Sequence, residues 1–311
     1  MRESRDRARS VATEPPRPVL RLSVEQAARS AAGLQQEEAK PVRLTKEQID
    51  RYDRDGFLVF PELFSPAEVA ALRAEVDRVS RLDAEGIVRE GEGGRPKIML
   101  RMHERDGPTA SPEYRAFACQ SRTLGVARQL LRDDALYLHH SKVNLKVAIE
   151  GSAWPWHQDF GTWHLDGIAR PAMTTVMLML DDSTEMNGCL YFLPGSHRAN
   201  RQVPYWDDST AYRLWAVGPE RMRELMAEYP PPVPVTGRAG TVAILHCNLL
   251  HASGHNLSAG DRWQAYLCYN QVANHPHEVE NPRPDYVRSL NWNPLELMPG
   301  DAILAAAQEA A

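Results

Sequence analysis

Cysteine is scarce in this chain, with four in 311 residues at Cys119, Cys189, Cys247 and Cys268. No two stand at the spacing of a zinc site or a redox pair, which argues against a disulfide scaffold and a thiolate metal centre. They read as small, reduced core residues. Excess positive charge is missing as well. Lys and Arg number 36 against 41 Asp and Glu, a net charge of -5, so nothing favours nucleic acid or an acidic membrane surface as a partner. No apolar run approaches the length of a bilayer span, and the N-terminus lacks the apolar core of a secretory signal. The expectation is a cytoplasmic protein.

Residues 1–40 stand apart. They are rich in Arg, Ala, Glu and Ser and carry Pro15, Pro16 and Pro18; a disordered leader is expected. Residues 41–300 then form one domain, with 301–311 as a C-terminal tail. Thr45 with Gln48 is a capping box before a short helix, and Asp55-Gly56 turns into the apolar run Phe57 to Phe60. Ser65-Pro66-Ala67-Glu68 starts a second helix, carrying Val69, Leu72, Val76 and Val79 at helical spacing. Residues 84–97 read as a loop, and a further helix covers 122–132.

From about residue 136 the pattern changes to short strands. Tyr137 to Val147 alternates loosely, and Ala172 to Leu180 is apolar throughout, as in a strand buried on both faces. Asn187-Gly188 is a hairpin-type turn into CLYFLP. Residues 200–232 form an insertion with a helix at 219–228, and Gly240 to Leu250 and Arg262 to Val272 complete the strands. Helices first and many short strands after predict a mainly β jelly roll with helices packed outside.

Within this frame His157 and Asp159 stand in WPWHQDFGTWH, and His251 in HCNLLHASGHN. On a strand, His-x-Asp places both side chains on one face. A distant His brought in by folding completes a two-His, one-carboxylate face, which leaves one side of an octahedral ion open, as in non-haem Fe(II) oxygenases. His246, His255 and His197 compete for the third place. Arg262, eleven residues after His251, can grip a carboxylate with two parallel bonds.

These motifs carry a likeness. DGFLVF and its following helix, the HQD run, NGCLYFLPGSHR and the late His and Arg resemble the phytanoyl-CoA dioxygenase superfamily of Fe(II)- and 2-oxoglutarate-dependent oxygenases. HHSKVNLK, WHQDFGTWH and HCNLLHASGHN are similar to the ectoine hydroxylase branch. The resemblance spans about residues 43–295. It implies a double-stranded β-helix of the cupin-like type. It implies His157, Asp159 and His251 as ligands of Fe(II), with O2 and 2-oxoglutarate as co-substrates. Arg262 would take the distal carboxylate of 2-oxoglutarate, and Asn144, Trp154, Thr175 and Ser253 would help seat it. The implied reaction is hydroxylation of an unactivated C–H bond, coupled to conversion of 2-oxoglutarate to succinate and CO2. Because Asp159 is retained, hydroxylation rather than halogenation is expected.

Thr162 and Trp163 match the substrate-facing positions of the ectoine branch, but other positions depart from it. His140 stands where that branch has Gln, Met173 where it has a small Ala, and Leu245 and Tyr266 where it has Phe; the 164–173 stretch is one residue shorter. These changes predict a small polar, amino-acid-like or cyclic substrate other than ectoine, with His140 holding a carboxylate or carbonyl and Trp163 facing a ring or cation. Lys97 and Arg101 read as solvated surface charges. Tyr205, Trp206, Tyr212 and Trp215 make 200–232 a candidate lid, or a homodimer contact. The same machinery also supports desaturation, epoxidation or ring rearrangement. A non-catalytic barrel holding a small ligand is the alternative of a different class.

Overall fold

Thr45 and Ser65 each open a helix as their contexts imply. Thr45 accepts from the Gln48 backbone N–H while the Gln48 side chain returns to the Thr45 N–H, starting α1 (Lys46–Asp55). Ser65 and Glu68 do the same for α2 (Pro66–Ser80), with Pro66 at the first turn, where its missing N–H costs nothing. Gly56, at φ 83, ends α1 and passes the chain to β1 (Phe57–Phe60). This is a computed structural model, and it describes residues 42–90, 94–208 and 214–309. The expected leader at 1–40 and Tyr212 lie outside the described residues.

The strands that follow are β2 (Ile87–Glu90), β3 (Arg95–Leu100), β4 (Leu136–Lys146), β5 (Trp154–His157), β6 (Met173–Met179) and β7 (Leu190–Phe192). After them come β8 (Pro204–Asp207), β9 (Leu214–Val217), β10 (Val233–Val235), β11 (Val242–His246), β12 (His251–Ser253) and β13 (Arg262–Gln271). They form a seven-stranded sheet, β1-β11-β6-β13-β4-β3-β2, and a four-stranded sheet, β10-β7-β12-β5, with β8–β9 as a separate hairpin. Phe57, Met177, Ala243, Leu245 and Tyr266 of the larger sheet pack with Leu190, Phe192 and Val235 of the smaller one. That is the double-stranded β-helix expected from the sequence. The outer face of the larger sheet carries Val143, Leu145, Val176, Leu178, Ala265 and Leu267. They pack with α2, α3 (Pro112–Ala118) and α4 (Val126–Leu131) in the main core. All seven residues of β6 are buried, as a strand between two cores requires.

β4 sets the geometry of the site. Its pairing with β13 slips by one residue, Cys268 facing His140 but Tyr269 facing Leu138, so His139 is an extra residue in the strand. Leu136 and Leu138 lie in the helix-side core before the bulge, and Val143 and Leu145 after it. The change of parity sends His140, Lys142 and Asn144 to the opposite face, where they line the cavity between the sheets.

Several expectations are corrected. Residues 84–97 contain β2 and the start of β3, a hairpin masked in sequence by its glycine and charge. Asn187-Gly188 does not close a hairpin: β6 and β7 belong to different sheets, and the turn carries the chain between them. The 122–132 helix begins at Ser121 with a π-helical turn before α4. Lys97 is buried, paired with Glu90 at 2.9 Å and bonded to Ser152 at 2.7 Å, rather than solvated. β8 and β9 pair antiparallel ahead of the expected helix, α6 (Pro219–Glu228), which follows α5 (Asp159–Trp163) in the chain. The C-terminal stretch forms α7 (Ala302–Glu309), with Ile303 fully buried. All four cysteines are free and buried. Among the described residues no helix is long and apolar enough to cross a membrane.

Candidate metal centre and co-substrate pocket

His157 and His251 are directly opposite each other on β5 and β12, with ring centroids 4.1 Å apart. Asp159 is not on the strand. Gln158, at φ -114 and ψ 132, is the last extended residue, and Asp159 opens α5. The backbone thus turns at Gln158, whose side chain is anchored on the Asn200 and Asn248 carbonyls. The expected His-x-Asp face is reached by a strand-to-helix turn rather than by strand alternation. One ligand atom from each of His157, Asp159 and His251 lies within 4.8 Å of the others. His246 instead stacks near His197, at 5.2 Å, and His255 is exposed.

Hydrogen bonds hold each ligand for metal binding. His157 Nδ1 lies 2.8 Å from the Pro155 carbonyl and His251 Nδ1 2.9 Å from the Leu249 carbonyl. A carbonyl can only accept, so both Nδ1 atoms carry the proton and both Nε2 lone pairs are left for a metal. Burial lowers both imidazole pKa values, that of His157 well below the ordinary range with the help of the neighbouring His251; Asp159 opposes the effect at His251. Neutral imidazoles are the ligand form. Thr175 donates to Asp159 Oδ2 at 3.2 Å, and Oδ1 lies 3.9 Å from His251 Nε2.

Beside this centre is a chamber lined by Lys142, Asn144, Trp154, His157, Leu190, His251, Ser253, Arg262 and Tyr266. Arg262, the first residue of β13, is 1 % exposed. Its two terminal nitrogens donate to Gln264 Oε1 (2.5 Å) and the Gly188 carbonyl (2.6 Å). Gly188, at φ +76, presents that carbonyl from a turn in which an added Cβ would stand 2.6 Å from the Gly254 carbonyl oxygen. Arg262 Nε and Asn144 Oδ1 have no partner, and among the described residues no carboxylate lies within ion-pair distance of the guanidinium. A buried, uncompensated cation of this kind calls for an anion. Lys146 adds a second basic group. Its Nζ donates to Ser253 Oγ at 2.8 Å and to the Gly254 carbonyl, and burial with the nearby Arg262 and Lys97 charges pushes its pKa down to about 6.

A second chamber opens on the other side of the ligands, lined by His140, Lys142, Trp154, His157, Asp159, Thr162, Trp163, Trp206, Leu214, Trp215 and Arg283. It brings the expected His140, Thr162 and Trp163 together with Trp206 and Trp215 of the insertion. Met173 and Leu245 are not in either lining. Met173 packs with Phe160 and Trp163, and Leu245 lies in the core between the sheets. Thr175 sits behind Asp159, and Tyr266 faces the co-substrate chamber. His140 Nδ1 lies 2.6 Å from the Val287 carbonyl, so Nε2 is a hydrogen-bond acceptor. Burial and the Arg283 and Lys142 charges lower its pKa well below the ordinary value. Lys142, Lys146 and Arg283 were absent from the sequence candidates, although alternate polar residues in HHSKVNLK signal a polar strand face. Arg283 is claimed by Asp166, which accepts from Nε at 2.9 Å and Nη2 at 2.5 Å, and from His139 at 3.2 Å.

Two His and one carboxylate on one side of a β-helix cavity, with a buried Arg beyond them, define a non-haem iron oxygenase centre. The chain belongs to the phytanoyl-CoA dioxygenase (PhyH) family, whose sequence model matches residues 52–264. It is 33% identical over 264 residues to the ectoine dioxygenase of Nocardia farcinica, covering 80% of this chain and 86% of that protein. It is 33% identical over 264 residues to the L-proline trans-4-hydroxylase of Streptomyces griseoviridis, covering 81% and 94%. The crystal structure of EctD from S. alaskensis with 2-oxoglutarate and 5-hydroxyectoine is similar, with a TM-score of 0.71 at 31% identity over 86% of this chain and 92% of that one.

Proposed function

We propose that this protein hydroxylates an unactivated C–H bond of a small polar, amino-acid-like or cyclic metabolite, using Fe(II), O2 and 2-oxoglutarate. The observation that carries the reading is the pairing of the His157–Asp159–His251 cluster with the uncompensated Arg262. The donor set suits the ion: two neutral imidazole nitrogens and one carboxylate oxygen match Fe(II). The orphaned Arg262 Nε suits a dicarboxylate whose far end lies away from the metal. Bound iron with 2-oxoglutarate and O2 supplies the oxidant that exchanges a substrate C–H for C–OH.

The chain's own residues then have distinct tasks. Thr175 orients Asp159, and the Pro155 and Leu249 carbonyls hold the imidazoles in one tautomer. Arg262, with Asn144, Ser253 and Trp154 around it, seats the co-substrate. Trp163, Trp206 and Trp215 wall the substrate chamber and exclude water. The expectation that ectoine is excluded has no support in the comparisons, since Met173 and Leu245 do not line the chamber and an ectoine dioxygenase is among the relatives. Ectoine and L-proline therefore both belong in the substrate panel.

The test is succinate formation by the Fe(II)-loaded protein with 2-oxoglutarate, O2 and that panel, read with mass spectrometry for products gaining one oxygen atom. Succinate released in step with a hydroxylated product is the expected result. A protein that binds no Fe(II) under anaerobic titration, or forms no succinate even in slow substrate-free turnover, overturns the reading.

A further inference from the structure

The two chambers share one charged wall residue that no role above uses. Lys142 lines both, and its Nζ stands 4.7 Å from the centroid of Trp154 and 5.1 Å from that of Tyr266. Those two π faces are its surroundings: among the described residues it has neither a carboxylate within ion-pair distance nor a hydrogen-bond acceptor. The other charges near it are matched. Arg283, on the far wall of the substrate chamber, is neutralised by the buried Asp166. Asp159 is a metal ligand in the proposed function, and Arg262 with the metal takes the two ends of the co-substrate. Among the described residues lining the substrate chamber, Lys142 is thus the cation left without an anion when iron and 2-oxoglutarate are bound. A half-buried ammonium in that position, between two aromatic faces, favours a ligand that brings negative charge.

Two residues before it on the same face of β4, His140 offers the opposite chemistry. Its Nδ1 proton is committed to the Val287 carbonyl, so its Nε2 accepts a hydrogen bond and cannot donate one. Side chains two apart on a strand emerge about 7 Å from each other, a gap that a small molecule carrying a carboxylate and a nearby N–H can bridge with one hydrogen bond to each side. Trp163, Trp206 and Trp215 complete the chamber with flat faces that suit a ring or a cationic nitrogen.

We infer that the substrate is a small zwitterion whose carboxylate pairs with Lys142 and whose N–H group is accepted by His140, making Lys142 the residue that selects for acids. The inference rests on the hydroxylase reading above and names the substrate class of the same site. It also separates two cations of one chamber: Lys142 is available to substrate, whereas Arg283 is held by Asp166.

The experiment compares carboxylates with their own carboxamides. The Fe(II)-loaded full chain is assayed with 2-oxoglutarate and a panel of cyclic and linear zwitterions, among them ectoine and L-proline, each beside its carboxamide. Substrate-free succinate formation is measured first: its absence overturns the hydroxylase reading, whereas succinate formation without preference for acids overturns only this inference. The wild-type protein is expected to favour the acid by about 10- to 100-fold in kcat/KM, the range of one charge-assisted hydrogen bond. Lys142→Gln should erase that preference by raising the KM for the acid, with the KM for 2-oxoglutarate not following it, and Lys142→Arg should restore it. A preference for acids that persists in Lys142→Gln, or a loss that falls on the KM for 2-oxoglutarate instead, overturns the assignment. Should Lys142→Gln fail to fold, the Lys142→Arg protein and the wild-type preference between acid and amide still decide, because a wild-type protein that turns over no carboxylate, or favours the amide, refutes the proposal.

Discussion

Arg262→Gln gives the sharpest test of the co-substrate seat. In the native protein two guanidinium nitrogens are committed to Gln264 and the Gly188 carbonyl, and Nε is free. In the proposed seat the substitution therefore removes at least one charge-assisted bond to the distal carboxylate of 2-oxoglutarate. Such a bond contributes about 1.5–3 kcal/mol, and about 1.4 kcal/mol corresponds to a factor of ten. The KM for 2-oxoglutarate should rise roughly 10- to 150-fold. The control is 2-oxobutanoate, which keeps the keto acid and lacks the distal carboxylate. The wild-type protein should discriminate between the two keto acids by about the same factor, and Arg262→Gln should not, because the coupling between residue and carboxylate is then gone. Release of CO2 from each keto acid is the assay. Equal discrimination in both proteins would show that the carboxylate lies elsewhere, with Lys146 the next group to examine.

Two further substitutions probe the metal centre and the wall of the substrate chamber. Asp159→Ala removes a metal ligand, and since loss of a residue that merely orients a ligand already costs about 10- to 100-fold, succinate formation should fall further than that; turnover at the wild-type rate would refute the assigned centre. Asp166→Asn leaves Arg283 buried beside a neutral amide and should cost about 3 kcal/mol in denaturant unfolding, the low end for a broken buried pair because the Arg283 side chain is 19% exposed. Burial alone would raise the Asp166 pKa, but Arg283 and His139 outweigh it and hold it well below the usual range. The stabilisation is therefore complete above the unfolded value of about 3.9 and is lost as the pH falls further; a difference between the two proteins that stays constant into strong acid would contradict this account.

The sequence carried the metal ligands because their residue types are restrictive and their neighbours distinctive. It did not carry the turn at Gln158, since extended and helical continuations of HQD read alike over three residues. The β2–β3 hairpin was hidden because its strands are short and between them hold Arg89, Glu90, Arg95 and Lys97, charges that normally mark a loop. The helices with capping boxes were legible because the signal is local and its partners are three residues apart. The pocket walls were less so. Met173 and Leu245 point into packed cores, and Lys142 and Arg283 become neighbours of the metal centre only through the pairing of β4 with β13 and the return of the C-terminal segment, contacts that span more than a hundred residues.

His139 does not line either chamber, yet it braces one of them, bonding Asp166 at 3.2 Å and meeting the Trp163 ring edge-on. As the extra residue of β4 it is taken up as a bulge opposite β13, so Leu138 keeps the helix side and His140 the cavity side, as adjacent residues of a regular strand would. Deleting it would leave His140, Lys142 and Asn144 facing the cavity and Val143 and Leu145 facing the helices, and would remove the contact to Asp166. The side chains proposed to meet substrate and co-substrate thus share one stretch of backbone, and the inserted residue fastens that stretch to the Asp166–Arg283 pair from outside its alternation.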